Sequence, residues 1–461
     1  MRGSRLPVTP MTGSERRAAV GLAGIFALRM LGLFLILPVF ALHAREMGGA
    51  TPLLIGLAIG AYGLTQALLQ IPFGMLSDRI GRKPVIFGGL VLFAFGSVVA
   101  ALADDIGGII LGRVLQGSGA IAAAVMALTA DLTREEVRTR AMAGIGISIG
   151  MAFALALVLG PVLGNWFGLD GIFWLTAILA LGGMLILALV VPTPEHSSVH
   201  RDAEPVASQL RGVLADRELM RLDIGVLTLH MMMTSLFLVV PLSMDRLGLD
   251  AGHHWWVYLP VLTLSMVAMV PFIIQAEGKG RMKPVFLGAV LTLALALAGL
   301  YMFDAGLMTL AFFLFLFFTA FNLLEASLPS LISKIAPAGA KGTAMGVFST
   351  SQFAGAFFGG VLGGWVHQRY GAEAVFLFCA ATAFVWLSVA WSMGSPRRVS
   401  SQVIRIGAGA EGDDSSLQGL LLDIPGVEEA VVVTEEGLAY LKVDNTQLDW
   451  ARLERFSASR A

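Results

Sequence analysis

Between two long apolar runs, the chain reads Gly74-Met-Leu-Ser-Asp78-Arg79-Ile-Gly81-Arg82-Lys83. Glycine and charged residues interrupt the apolar sequence here, so the stretch predicts a tight loop between two helices. A turn that needed only positive charge would not require an acid at a fixed distance before Arg82. The spacing of Asp78 and Arg82 therefore favours a functional motif over a simple basic loop.

The composition around this loop is that of a membrane protein. Of the 461 residues, 56% are hydrophobic and 14% are charged, and the mean hydropathy is +0.79, whereas soluble domains carry about 25% charged residues. The net charge of −1 excludes a nucleic-acid partner bound through bulk positive charge. The single cysteine, Cys379, excludes an internal disulfide and a cysteine metal cluster. We therefore expect an all-α membrane protein that crosses the lipid bilayer many times.

Apolar runs of about 20 residues, the length that spans a bilayer, predict twelve transmembrane helices. The first run continues without a small-residue cleavage site, so it predicts an uncleaved span rather than a signal peptide. The predicted spans are 17–42, 52–76, 84–103, 107–130, 141–164, 171–191, 220–243, 254–276, 284–303, 306–332, 343–366 and 372–393.

Basic residues are distributed unequally between the two sets of loops. The loops after even-numbered spans carry fifteen Lys and Arg residues, whereas the loops on the other side carry only Arg45, Arg246 and Arg369. Because basic loops stay in the cytoplasm, both termini are predicted to be cytoplasmic, and an even number of spans requires the same. We expect a multi-pass protein of the bacterial inner (cytoplasmic) membrane.

Weak internal similarity predicts a duplicated unit of six spans. The sequence of Gly160–Trp166 in the fifth span resembles that of Gly359–Trp365 in the eleventh, at a separation of about 200 residues, as expected for an internal repeat. The predicted organisation is an N-terminal bundle at 1–191, a cytoplasmic linker loop at 192–219, a C-terminal bundle at 220–394 and a soluble tail at 399–461.

The tail has the alternation of a small α+β domain. Its acidic residues outnumber its basic residues by 11 to 5, and it contains neither Cys nor His, which argues against a soft-metal site. The order of the elements predicts a ferredoxin-like βαββα module with strands and helices at Gln402–Ile406, Ser415–Asp423, Val431–Thr434, Leu438–Val443 and Gln447–Phe456. We expect this acidic tail to dock on the basic cytoplasmic loops.

The loop motif at 74–83 resembles the signature of the major facilitator superfamily, G-x-L-a-D-r-x-G-r-k, at every position. A second family pattern surrounds Arg113 in the fourth span. The antiporter pattern of the fifth span is present at its centre, in Gly160, Pro161 and Gly164, although its first and last glycines are replaced by Ala156 and Asn165. The spans together with the tail look like the YajR group of bacterial drug–proton antiporters.

This resemblance implies a fold and a switch. The implied fold is two six-helix bundles around a central cavity that opens alternately to the two membrane faces. In the family, the loop acid meets the N-terminal end of span 11, here near Gly342–Thr343, and the second loop arginine pairs with an acid that ends span 4. The implied conformational-switch residues are Gly74, Asp78, Arg79, Gly81, Arg82, Lys83 and Asp131.

Ionisable residues inside membrane spans are costly and are therefore functional candidates. Arg29, Arg113, His230 and Glu325 lie within the predicted spans, and we assign all four as proton-coupling candidates. Glu325 and His230 can change charge when buried, whereas the arginines would act as partners or anion hosts. The alternative for each is a structural polar group that a neighbouring helix satisfies.

Further polar residues in the spans could line a cavity for a small molecule, or could equally form interhelical hydrogen bonds. They are Tyr62, Gln66, Gln70, Asn322 and Gln352.

The sequence carries no Walker A pattern and no metal-ligand cluster, so we expect no enzyme, no cofactor, no metal and no ATP-driven transport. We expect a secondary active transporter that acts as a monomer. The family resemblance implies proton-driven efflux of small amphipathic or drug-like compounds by alternating access. Two alternatives stay open. One is a metabolite facilitator or symporter of the same fold, and the other is a membrane sensor that signals through its tail.

Overall fold

The computed structural model describes residues 10–194, 206–303, 306–394, 400–406, 414–433, 437–444, 447–454 and 456. Nearly all of the chain before residue 395 is helical, and the tail adds three short strands. The helices of the first half are α1 (Gly13–Phe34), α2 (Phe40–Ala44), α3 (Pro52–Ile80), α4 (Arg82–Ala101), α5 (Ile106–Ser118), α6 (Ala122–Asp131) and α7 (Glu135–Leu189).

Two spans of the first half, predicted at 17–42 and 107–130, each consist of two helices. The first breaks between α1 and α2, where Pro38 lacks the N–H that an uninterrupted helix would use. The second breaks between α5 and α6 at Gly119. The long helix α7 turns at Gly168, whose φ of +67° suits glycine, and so supplies both the fifth and the sixth span.

The second half begins with a short linker helix. Its helices are α8 (Ala207–Ala215), α9 (Arg217–Arg246), α10 (Trp255–Ile273), α11 (Met282–Met302), α12 (Leu307–Ile335), α13 (Lys341–Tyr370) and α14 (Glu373–Trp391). Because α8 lies inside the predicted linker at 192–219, this linker is not only a loop. The residue boundaries of the two bundles, the linker and the tail remain predictions.

Within the described residues, ten helices are long and apolar enough to cross a membrane. One of them, α7, makes two crossings because of its turn at Gly168. The glycine-rich helix α13 is less apolar, but its 30 residues run alongside α3 and α9 inside the bundle. Together these make the twelve predicted spans, and the predicted membrane fold is confirmed.

The two halves meet closely along α3 and α13. A Cβ on Gly60 would lie 2.8 Å from the carbonyl oxygen of Phe357, and one on Gly364 would lie 2.6 Å from that of Pro52. Glycine is therefore required for the helices to approach this closely. At the same end, Arg45 forms an ion pair of 3.2 Å with Asp245. We call this end the opposite face, and the end that carries the 74–83 motif the basic face.

The tail folds as the sequence predicts, into a βαββα unit. Its elements are β1 (Ser400–Arg405), α15 (Asp414–Leu422), β2 (Val427–Val433), β3 (Leu438–Val443) and α16 (Trp450–Glu454). The sheet has the order β1-β3-β2 with both pairs antiparallel, which is the order of these strands in a ferredoxin-like fold. Thr434, the predicted last residue of β2, lies outside the described residues.

Side chains alternate between the two faces of this sheet. One face, with Ala430, Val432, Ala439 and Leu441, packs into the core that the tail forms with its own helices. The other face carries Val431, Val433, Leu438 and Tyr440, and we call it the docking face. The tail's own helices therefore cover one apolar face of the sheet and leave the docking face for another partner.

The docking face packs on the connection between α12 and α13. Val433, Leu438 and Tyr440 form one buried cluster with Ala338. Lys442 Nζ donates to the carbonyl oxygen of Ile335 at 2.9 Å, and the Ala338 N–H donates to Glu429 Oε1 at 3.0 Å. The tail thus docks on one of the basic loops, through apolar contacts and through hydrogen bonds that include the Glu429 carboxylate.

Candidate functional site

The motif of the basic face forms a charged cluster around Arg82. Gly81 joins α3 to α4 with a φ of +96°, a conformation that L side chains rarely adopt. Arg82 is buried and contacts Asp78, Ser77 Oγ at 2.8 Å and Asp131 Oδ2 at 3.4 Å. The predicted pair between Arg82 and Asp131 is therefore present, and a second carboxylate shares the same guanidinium.

The other motif residues tie the loop to its surroundings. Lys83 Nζ donates to the carbonyl oxygen of Val191 at 2.6 Å, at the end of the sixth span. Gly74 lies against α6, where a Cβ would be 3.0 Å from that of Ala123. Arg79 is exposed. The motif thus connects four helices of the first half at the basic face.

The predicted contact between Asp78 and the start of α13 is absent from the described part of the chain, where Asp78 pairs with Arg82. The linker helix α8 reaches the start of α13 instead. Thr343 Oγ1 accepts from the Val206 N–H at 2.8 Å and donates to Gln209 Oε1 at 3.0 Å. The contact is expected only while the basic face is closed, whereas here the halves meet at the opposite face, so it stays a prediction.

Each side-chain nitrogen of Arg113 donates to an acceptor within the first half. Its Nε donates to the carbonyl oxygen of Ala58 at 3.3 Å, its Nη1 to Gln116 Oε1 at 2.8 Å and its Nη2 to the carbonyl oxygen of Ile59 at 3.4 Å. All of these partners belong to α3 and α5. The contacts match the structural alternative for this residue better than a role beside Glu325.

Arg29 lies in the same half and is fully buried. Its Nη2 donates to Gln66 Oε1 and to the carbonyl oxygen of Gly119, both at 2.8 Å. The guanidinium also lies 5.8 Å from the ring centroid of Tyr62, a favourable cation–π distance. Gln66 Nε2 donates in turn to Gln70 Oε1 at 3.4 Å. Three of the predicted cavity residues are thus buried hydrogen-bonded partners here.

Glu325 and His230 come together in the second half, joined by Gln352. Gln352 Nε2 donates to Glu325 Oε1 at 3.1 Å and lies 2.8 Å from His230 Nε2. His230 Nδ1 lies 3.2 Å from the carbonyl oxygen of Val226, and His230 Nε2 lies 3.7 Å from Glu325 Oε2. These distances suit a neutral imidazole whose Nδ1–H donates to the backbone and whose Nε2 accepts from the amide.

This triad can respond to a proton. A proton on Nε2 would turn that nitrogen from an acceptor into a donor, so the bond from the Gln352 amide would have to break. The imidazolium would then find the Glu325 carboxylate as its nearest charged partner. Protonation of Glu325 instead would remove the charge that faces His230. Either event rearranges contacts among α9, α12 and α13.

Two further polar residues lie in the spans of the second half. Asn322 Nδ2 donates to Ser265 Oγ on α10 at 3.1 Å, so it forms the interhelical bond that was its alternative. Asp223 was missed, although it lies inside the predicted span 220–243. It is 2% exposed, and neither of its carboxylate oxygens has a partner in the described residues. A charged residue within an apolar run could have identified Asp223 as a candidate from the sequence.

The antiporter motif of the fifth span packs against the break between α1 and α2. A Cβ on Gly160 would lie 2.6 Å from the carbonyl oxygen of Leu35 and 2.8 Å from Pro38 Cγ. The carbonyl oxygen of Gly164 lies 3.2 Å from His43 Nε2. With Pro161 inside α7, the motif allows a kinked helix to pack directly on irregular backbone.

Family comparisons agree with this architecture. The model of the Major Facilitator Superfamily matches residues 22–360 and 280–424, and that of the YajR YAM domain matches residues 405–457. The chain is 50% identical over 435 residues, 94% of its length and 96% of the relative's, to the inner membrane transport protein YajR of Escherichia coli (strain K12). It is 26% identical over 349 residues, 75% of its length and 86% of the relative's, to the multidrug resistance protein MdtH of Aeromonas salmonicida (strain A449).

Solved structures share the fold. A bacterial homologue of the human lysosomal transporter Spinster superposes with a TM-score of 0.66 at 13% identity, over 83% of this chain and 98% of that one. The human organic anion transporter MFSD10 superposes with a TM-score of 0.61 at 21% identity, over 82% of this chain and 100% of that one. At these identities the likeness concerns the fold alone.

Proposed function

The chain belongs to the Major Facilitator Superfamily of membrane transporters, and we propose that it exports small amphipathic or drug-like compounds in exchange for protons. It is a multi-pass membrane transporter and not an enzyme. The similarity to a protein named for multidrug resistance supports a drug-like cargo. The absence of a Walker A pattern supports an ion gradient as the energy source.

In this proposal the basic face lies in the cytoplasm of a bacterial inner membrane. The excess of Lys and Arg in its loops supports this orientation, because basic loops are retained on the cytoplasmic side. The similar YajR protein is named as an inner membrane protein. Both termini and the docked tail would then be cytoplasmic, and a single chain would be the transporting unit.

The observation that carries proton coupling is the contact of Glu325 with Gln352 and of Gln352 with His230. Two groups that can bind a proton share one neutral bridge between them, inside the membrane spans of the second half. His230 is buried and Glu325 is partly buried. A charge inside a membrane span is costly, so gain or loss of one proton is expected to change the preferred packing of three helices. Transport requires such a link between proton binding and conformation.

Alternating access follows if the sealed opposite face opens as the basic face closes. The glycine contacts of α3 with α13 and the Arg45–Asp245 pair close the opposite face. On closure of the basic face, Asp78 would leave Arg82 for the N-terminal end of α13, where a carboxylate gains about 0.3–1 kcal/mol from the helix dipole. Arg82 would retain Asp131 in both arrangements.

The test is proton movement in proteoliposomes that carry a pH-sensitive dye inside. A panel of amphipathic compounds is added to wild-type protein, to Glu325→Gln and to the control Glu373→Gln. Glu373 pairs with Arg246 at the opposite face and is exposed. We expect substrate-dependent proton flux in the wild type and the control, and none in Glu325→Gln, which keeps its fold.

Two results would contradict the proposal. Substrate movement by wild-type protein without proton flux would identify a facilitator. Proton flux in Glu325→Gln equal to that of the wild type would remove this residue from the coupling. If no compound moves in either direction, the sensor alternative takes its place.

A further inference from the structure

The two buried arginines of the first half differ in how many of their side-chain nitrogens have a hydrogen-bond acceptor. Every nitrogen of the Arg113 side chain has an acceptor. Arg29 is equally buried, at 0% exposure, yet its Nε and Nη1 have no hydrogen-bond partner in the described residues. Among those residues Arg29 also has no ion pair. A buried guanidinium with two unused donors and no counter-charge costs several kcal/mol, so it needs a reason other than packing.

The carbonyl group that holds Arg29 belongs to a broken helix. Gly119, which accepts from Arg29 Nη2, lies in the interruption between α5 and α6. The ten-residue helix α6 starts three residues later, and no side chain caps its N-terminus. A helix N-terminus carries a partial positive charge and free N–H groups. The break therefore brings a second set of positive donors close to the guanidinium, as at the interrupted helices that bind anionic groups in other transporters.

The surroundings suit an organic anion rather than an inorganic ion. The rings of Tyr62 and Phe93 lie 5.8 Å and 5.4 Å from the guanidinium carbon, and an apolar body could pack beside them. Tyr62 also contacts Phe353 of the second half, with 6.2 Å between ring centroids. Phe353 follows Gln352 in the chain, so the Arg29 cluster and the Glu325–Gln352–His230 group contact neighbouring residues of α13.

We propose that Arg29, with the uncapped start of α6, binds the carboxylate or a similar oxyanion of the transported compound, so that the cargo is an organic anion with an apolar body. The role of this site in transport rests on the proposed function, whereas its ability to bind an oxyanion does not. Nε and Nη1, the two unused nitrogens, lie on different edges of the planar guanidinium, so an oxyanion would accept from one of them. Access to the site opens when the halves separate at Tyr62 and Phe353.

The test is thermal stabilisation of the purified full-length protein in detergent at fixed ionic strength. The probes are benzoate and naphthoate, each beside its neutral carboxamide of the same shape. We expect the carboxylates to raise the Tm and the carboxamides to have no effect. In Arg29→Met the apparent affinity for the carboxylates should fall about tenfold to a hundredfold, the size of a charge-assisted hydrogen bond.

The ligand-free Tm separates a binding role from a structural one. Arg29→Met removes an unpaired charge together with two hydrogen bonds, so it should lower the Tm less than Arg113→Met, which breaks three hydrogen bonds. The proposal is overturned if no carboxylate stabilises the wild type, if carboxamides act equally well, or if Arg29→Met keeps the response. A fall of the Tm in Arg29→Met like that of Arg113→Met would also refute it. Because no proton gradient is present, Glu325→Gln should respond like the wild type even if proton coupling fails.

Discussion

The docked tail can be released by one substitution, Leu438→Asp. Leu438 is 8% exposed and belongs to the cluster that joins the tail to Ala338, but not to the separate core that holds the tail together. Loss of its burial removes about 1.5–3 kcal/mol, and burial of an unpaired carboxylate would cost more. Even about 2 kcal/mol lowers the docked-to-undocked ratio roughly thirtyfold. The tail should therefore separate while it stays folded.

Spin labels at two exposed positions measure this release. Gln418 on α15 and Arg281 before α11 are both exposed, and one reports the tail while the other reports the basic face. We expect one narrow distance distribution in the wild type and a broad one in Leu438→Asp. Leu420→Asp places the same charge at a position that is 49% exposed, so it should keep the narrow distribution.

A second variant tests whether the release could result from damage to the tail itself. Ala338→Glu disturbs the same cluster from the transporter side and should give the same broad distribution. Because the connection that the tail covers leads directly into α13, both variants should also change the transport rate, as should deletion of residues 399–461. Narrow, unchanged distributions in both variants would refute the docking.

The other predictions concern the seam between the halves. Asp78→Asn removes a carboxylate that pairs with Arg82 here and would meet the α13 end in the alternative state. The two losses partly cancel, so the free-energy difference between the two arrangements should shift by about 1 kcal/mol or less toward the present one. Spin-label distances between α3 and α13 at the basic face measure the two populations. A shift the other way would contradict the proposed contact of Asp78 with α13. Gly60→Ala forces a methyl group against the Phe357 carbonyl oxygen and should cost about 1–3 kcal/mol in the sealed state, seen as a wider opposite face. The control Gly88→Ala has open space, and equal effects of the two would exclude the contact as the cause.

The sequence predicts the features that depend on local pattern. Apolar runs and basic loops predict the spans, and alternation predicts the strands of the tail. The helix breaks at Pro38 and Gly119 were not predicted, because apolar sequence continues through both and the length of a run does not register an interruption. One of these breaks supplies the backbone oxygen that holds Arg29, and the proposed anion site includes both.

The candidate site shows the same division. The cost of a charge inside a membrane span identifies Glu325, His230 and the two arginines from the sequence. It does not predict that Glu325 and His230 meet through Gln352, while the two arginines lie in the other half. The triad joins residues up to 122 positions apart, and only packing brings them together. The docking face did have a signal in the sequence, because Leu438–Leu441 places apolar residues on both sides of β3, more than a small domain's own core requires.

The central claim is that a proton at the Glu325–His230 pair decides which face is open. Labels at Glu46 and Arg369, exposed on the two halves at the opposite face, measure this in a Cys379→Ala background. Between about pH 8 and about pH 5, we expect the wild type to shift from long to short distances. Glu325→Gln, which resembles the protonated acid, should stay short at every pH. A pH response in Glu325→Gln identical to that of the wild type would contradict the claim.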